Sequence, residues 1–356
     1  MQEKITTIMF CDIMNSSEYA NVLSTTNYYR YIVKELKRIC AEERDYFVAH
    51  HPEYTTLPSH IAPDSNTEYT CQFSAVGDEI KVVFYSGDEW KDAFNMMECA
   101  IRLKLRWLFG EFNRNRISQN KAPEDLAIGI NTGPLVIEEY EPEGFSMNVA
   151  KRIEGECRNG KYCRILAHAN TVNYISAYLA REDAVSMVDA HFSDVVTFSG
   201  KGIAQEIPRK EIKYFLFSSQ AEVIKILGVD AKEFIRHLFA ASAMAPYPHF
   251  INSVLLSTLH KLGIDNYTFK YIEDLGTTMY KYFKSMDILD LIIEIYDYQY
   301  REMYKDLSTR QKADFLQGWY MWAKENEFRY RYLLDEILKE QNRMTSIFKH
   351  LPHRPK

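Results

Sequence analysis

Apolar and polar positions change period several times along the chain, and each change marks an element. Residues 4–12 (KITTIMFCD) form a β-branched and aromatic run that ends on an aspartate and reads as a buried strand. The polar NSSEY then opens a helical pattern from about Ser16 to Glu43, with a serine placed to cap its start. Residues 46–68, rich in His, Pro and Thr, lack helical period and read as a loop or an extended arm. Two β-rich runs follow, YTCQFSAV and EIKVVFY, with only Gly77 and Asp78 between them, which is the spacing of a tight hairpin. Helical spacing returns over 88–116, strands are expected at 125–131 and 134–140 on either side of Thr132-Gly133, 145–158 and 168–179 are helical, and KYFLF at 213–217 supplies a last strand.

Beyond about Ser218 the strand signal nearly vanishes and helical spacing runs through segments near 221–240, 250–263, 267–284, 287–304 and 308–342. The expected organisation is therefore two domains, an α+β domain over 1–218 and a helical regulatory or dimerisation domain over 219–356. A length of 356 residues accommodates both. The tail is rich in aromatics, among them Tyr296, Tyr298, Tyr300, Tyr320 and Phe328, and their helical spacing reads as core.

Composition narrows the function classes. Hydrophobic residues make up 46% and charged residues 26%, which is globular. A net charge of −6 argues against a dedicated surface for duplex nucleic acid, which needs clustered cations to displace counterions. Six cysteines are scattered without paired metal-site spacing and read as buried thiols in a reducing compartment. The first residues show no signal-peptide pattern, and no apolar run approaches the ~18 residues needed to span a bilayer, so a soluble, cytoplasmic protein without a transmembrane segment is expected.

Asp12 and Asp78 carry the most chemistry. Gly-Asp is ordinary turn chemistry, and Asp78 alone says little. Asp12, however, directly follows IMFC, where the strand is buried, and a carboxylate there has to be paired or to coordinate a metal. If the two strands pair in one sheet, both carboxylates reach the same edge, where they can hold two Mg²⁺ or Mn²⁺ ions for phosphoryl chemistry. Asn148 and Arg152 stand one helical turn apart and share a face.

The order FCDI, SAVGDEIKVVF, IGINTGP and GFSMNVAKRI resembles the catalytic domain of class III nucleotidyl cyclases, over roughly residues 4–217. That resemblance implies a ferredoxin-like α+β domain with helices on one face of a mostly antiparallel sheet. It places the metal ligands at Asp12, the backbone carbonyl of Ile13, and Asp78. It assigns Asn148 to orienting the ribose and Arg152 to stabilising the phosphate in the transition state. It also implies a homodimer with its sites at the interface, each using metal residues of one subunit and Asn148 and Arg152 of the other. The reaction would be attack of the ribose 3′-oxygen on the α-phosphorus with release of pyrophosphate.

The substrate-reading positions depart from the family. Ser74 stands where adenylate cyclases usually carry a purine-reading Lys, and the second base-reading position falls near Glu141. Ser199 occupies the place of a triphosphate-binding Lys; Lys201, in the glycine-flanked turn Gly200-Lys201-Gly202, is the alternative source of that charge. The string DIMNSSEY and the GDE hairpin are similar to the bacterial pyrimidine cyclases of the Pycsar antiphage system, which implies UTP or CTP as substrate, with UTP favoured, and a separate effector that responds to the cyclic nucleotide. Cytidylate cyclase, an ordinary adenylate cyclase and a catalytically inactive nucleotide-sensing homologue remain as alternatives.

Overall fold

A computed structural model describes residues 2–14, 16–56, 69–138, 141–158, 164–181, 188–217 and 220–229, with scattered positions up to 254. The chain divides into two compact units, Met1–Val229 with Met244–Ser253, and Asp230–Ala243 with Val254–Lys356. Most of the second unit, and with it the helices expected after residue 229, lies outside the described residues.

The strand ending at Asp12, β1 (Gln2–Ile13), is the axis of the first unit. It pairs antiparallel on one side with β3 (Glu79–Phe84) and on the other with β4 (Leu126–Glu138). β2 (Cys71–Val76) pairs with β3 through the expected hairpin, where Gly77 takes a φ of 62°. The first strands therefore stand in the order β2-β3-β1-β4, the split βαβ arrangement of a ferredoxin-like sheet. Beyond β4 the sheet continues through β6 (Ile165–His168), its one parallel neighbour, to β9 (Glu206–Phe217) and β7 (Val188–Phe192). β5 (Glu141–Glu143) adds to β4, and β8 (Val196–Ser199) adds to β9. Among the described residues this is an α+β fold on a mixed, mostly antiparallel sheet.

Several expected boundaries move. The helix expected from Ser16 to Glu43 is broken into α1 (Ser16–Val22), α2 (Thr25–Tyr28), a π-helical turn (Tyr29–Val33) and α3 (Lys34–His50). Ser24 is the capping serine, accepting a hydrogen bond from the Asn27 amide. At the other end α3 runs through residues first read as loop, because Phe47 continues its buried stripe and stacks on Phe84; residues 57–68 lie outside the described residues. The helix over 88–116 is two, α4 (Glu89–Leu108) and α5 (Glu111–Ser118). Here Glu35 of α3 reaches in and accepts the Glu111 amide, starting a new helix at Gly110, where a Cβ would lie 2.6 Å from the same carboxylate oxygen. Thr132-Gly133 is no turn: β1 is long enough to pair with β4 without interruption from Ile13–Leu126 to Gln2–Ile137. The short strands β5 to β8 were not legible as strands.

Helices cover both faces of the sheet rather than one. Ile8, Met9, Phe10 and Cys11 are all buried, and alternation sends them to opposite sides. On the side of Ile8 and Phe10 lies α6 (Phe145–Glu156), which packs through Met147 and Ala150. The other side takes α4, which stacks Phe94 on Tyr178 of α7 (Ala169–Leu179). The first helix of the tail pattern, α8 (Gln220–Leu227), is present. The five described cysteines are buried and free, as expected of structural thiols; Cys163 lies outside the described residues.

Gly129 sets how closely α6 approaches the sheet. A Cβ there would lie 2.2 Å from the Glu154 amide nitrogen and 2.5 Å from the Ala150 carbonyl oxygen, both backbone atoms. Gly129→Ala is expected to destabilise the protein by about 1–3 kcal/mol through this overpacking, read as a lower midpoint in chemical denaturation.

Candidate functional site

The sheet register brings the two aspartates together. Asp12 lies opposite Glu79 across β1 and β3, and Asp78 is the next residue, in the hairpin turn. Alternation places Asp12 on the same side as Phe10 and Ile8, the side covered by α6. Its Oδ1 accepts the Ile13 amide at 2.8 Å, and its Oδ2 accepts Nη2 of Arg158 at 2.6 Å. Burial raises the Asp12 pKa; the Arg158 charge works against that shift, while the charges of Asp78 and Glu154 add to it. Asp78 accepts a hydrogen bond from the Tyr28 hydroxyl, whose pKa is pushed up to about 12, first by burial and then by the Asp78 charge.

Two stripes of α6 and the turn that follows it carry the remaining polar groups. Lys151, Glu154 and Arg158 follow one another at helical spacing and face the carboxylate edge. Lys151 bridges Glu79 of the hairpin and Glu154, the latter at 3.1 Å, and its ammonium lies over the Phe10 ring. Arg158 holds Glu154 at 2.6 Å as well as Asp12. Asn148 and Arg152 occupy a second stripe, about a quarter-turn away at ~100° per residue, and both are exposed. The stem of Arg152 lies beside Gly200, where a Cβ would come within 3.2 Å of its Cγ. The structure thus groups Arg152 with the Gly200-Lys201-Gly202 turn, on a helix stripe other than the one whose Arg158 meets Asp12. Lys201 is exposed in that turn, between β8 and β9.

Ser74 and Glu141, the positions expected to read the base, also lie apart from each other. Ser74 sits in β2 opposite Lys81, whose carbonyl accepts its hydroxyl at 3.4 Å, in the same hairpin as Asp78. Glu141 begins β5 and pairs with Glu138. Asp12 is opposite Ala127, so Glu138 stands eleven residues further along β4, roughly 35 Å away at ~3.3 Å per residue.

The donors at the edge are hard oxygens, the two carboxylates with Ile13 adjoining, and they suit Mg²⁺ or Mn²⁺. Burial raises the Asp12 pKa and the Asp78 charge adds to it, so a cation here would offset both. Among the described residues no third His, Cys, Asp or Glu joins them, so water or substrate oxygens would complete the coordination.

Sequence reasoning missed Tyr28, Glu79, Lys151, Glu154 and Arg158. For the last three the signal was available: their spacing of three and four residues defines a single helix stripe. Tyr28 carried no such signal, since it reaches Asp78 only because the long expected helix breaks before it.

No protein-family model matches the chain, and no curated protein sequence matches it. Solved structures similar to it are class III adenylyl and guanylyl cyclases. One is the adenylyl cyclase CyaB from P. aeruginosa, with 17% identity and a TM-score of 0.43 over 62% of this chain and 97% of that one. A second is the guanylyl cyclase Cya2, at 18% identity and a TM-score of 0.40, covering 60% and 93% of the two chains. Adenylate cyclases from Trypanosoma brucei are similar at 14% identity and a TM-score of 0.39, covering 59% and 88%. Likeness of this degree is one of outline, and the functional reading rests on the residues. Among the described residues, no helix is long and apolar enough to cross a membrane.

Asp78→Asn removes a negative neighbour and is expected to lower the pKa of Asp12. A carboxyl ¹³C NMR titration reads the shift, and an unmoved midpoint would show that the two groups do not share a field.

Proposed function

We propose that the chain is a nucleotidyl cyclase that converts UTP to 3′,5′-cyclic UMP and pyrophosphate. The observation that carries the reading is the register that sets Asp12 beside the hairpin residue Asp78, on an edge faced by α6. Asp12, Asp78 and the Ile13 carbonyl are the groups that would hold two divalent ions, Mn²⁺ or Mg²⁺. When bound, such ions supply activation of the 3′-hydroxyl and charge neutralisation on the triphosphate. Asn148 orients the ribose, and Arg152, with a planar donor fork, stabilises the charge that develops on the α-phosphate. Lys201, beside Arg152, supplies further positive charge to the triphosphate. The 3′-hydroxyl gives up its proton to solvent, and its oxygen forms a bond to the α-phosphorus as the bond to the pyrophosphate oxygen breaks and pyrophosphate leaves.

Separation of the two α6 stripes supports a homodimer. Asn148 and Arg152 lie on a different stripe of α6 from the one that reaches Asp12, and in the proposed dimer a second copy supplies them, with Lys201, to each site. The absence of a Lys at Ser74 supports a pyrimidine over a purine, and the DIMNSSEY and GDE strings, similar to Pycsar cyclases, support a product that signals infection to a separate effector. The helical segment after residue 218 is proposed to regulate the enzyme or to set its dimer geometry.

Incubation with Mn²⁺ and each of the four ribonucleoside triphosphates, with products identified by mass spectrometry, is expected to give cyclic UMP and no cyclic product from Asp78→Ala protein. Cyclic CMP or cyclic AMP would correct the substrate alone. No cyclic product from any nucleotide would count against the enzyme reading and for a nucleotide sensor. Arg152→Ala is expected to lower kcat by about 10²–10³-fold with little change in KM, as for loss of a transition-state donor. Mixing inactive Asp78→Ala and Arg152→Ala proteins should restore about a quarter of the wild-type rate, because half the dimers are mixed and each has one intact site. Absence of complementation would contradict the shared site.

A further inference from the structure

Arg158 occupies an oxygen of Asp12 that a metal ion could use. Its Nη2 donates to Oδ2 of Asp12 at 2.6 Å and to Oε1 of Glu154 at 2.6 Å, and its Nε donates to the same Glu154 oxygen at 3.0 Å. The ion pair is partly shielded, with side-chain exposures of 30% for Arg158 and 18% for Asp12. Glu154 is 2% exposed and is also held by Lys151, so it forms a fixed anchor for the arginine. Arg158 follows the last residue of α6, Glu156, by two positions, which puts the guanidinium at the open end of the helix rather than in its packed interior.

We infer that Arg158 is an internal cation for Asp12 that competes with the divalent ion, so that metal binding requires the guanidinium to leave Asp12 while Glu154 retains it. The inference rests on the reading of Asp12 and Asp78 as the metal carboxylates. The chemistry is a competition of charges for one carboxylate. A guanidinium in a charge-assisted bond neutralises Asp12 when no metal is present, and the bond must be given up when the ion arrives. Because Glu154 accepts two bonds from Arg158, the displaced side chain keeps a partner and stays next to the site. Metal affinity is thereby set below what two bare carboxylates would give. Arg158 acts here through Asp12 as a positioning residue.

The test measures Mn²⁺ binding without nucleotide, by the loss of the free Mn²⁺ electron paramagnetic resonance signal, on intact protein. Arg158→Ala is expected to bind Mn²⁺ about three- to tenfold more tightly than wild type, the range for losing a partly exposed charged hydrogen bond. Arg158→Lys, which keeps the charge but loses the fork, should lie between the two. Melting curves confirm that each variant is folded, and Asp78→Ala should lose the binding. Equal or weaker Mn²⁺ binding in folded Arg158→Ala, with wild-type binding that depends on Asp78, would overturn the competition while leaving the metal site standing. Binding that survives Asp78→Ala, or is absent from all the proteins, would overturn the metal reading and the competition with it.

Discussion

Negative charge at a mostly buried strand end is the constraint on which the site depends. Asp12 follows the buried run of residues 6–11 in its strand, and the turn beside it adds Asp78. A carboxylate held there is costly unless its charge is met, and the elements around it are arranged to meet it. Arg158 and the Ile13 amide serve Asp12, the Tyr28 hydroxyl serves Asp78, and Lys151 answers the neighbouring Glu79 and Glu154. The contacts of Lys151 and Arg158 depend on α6 lying close to the sheet, which in turn depends on the missing side chain at Gly129. Packing and electrostatics are thus one problem at this edge: the helix that fills the core also supplies the charges.

α6 serves two surfaces. Val149, Ile153 and Cys157 bury its inner side against Ala127, Leu166 and Ile207. Its remaining side divides into a stripe that leads to Arg158, the partner of Asp12, and a second stripe, Asn148 and Arg152, with Arg152 beside Gly200. A helix built this way can stabilise one site and present donors to another, which is the arrangement a symmetric dimer with shared sites needs.

Much of this was legible in the sequence because it follows from local pattern. The buried run before Asp12, the Gly77-Asp78 turn between two β-rich runs and the i, i+4 pair on α6 each declare themselves in a few residues. What was illegible depends on contacts between distant segments. The continuity of β4 past Thr132-Gly133 is imposed by β1, not by its own residues. The break between α4 and α5 comes from Glu35, 76 residues earlier in the chain. The partners of the two aspartates are likewise remote, Arg158 being 146 residues from Asp12, so a reading by motif finds the carboxylates and misses what balances them.

The most direct test of the central claim is anomalous diffraction from crystals of the protein soaked in Mn²⁺. The account predicts manganese density bracketed by the carboxylates of Asp12 and Asp78, with the Arg158 guanidinium moved off Asp12 and still bonded to Glu154. Manganese bound elsewhere, with Arg158 unmoved on Asp12, would contradict it.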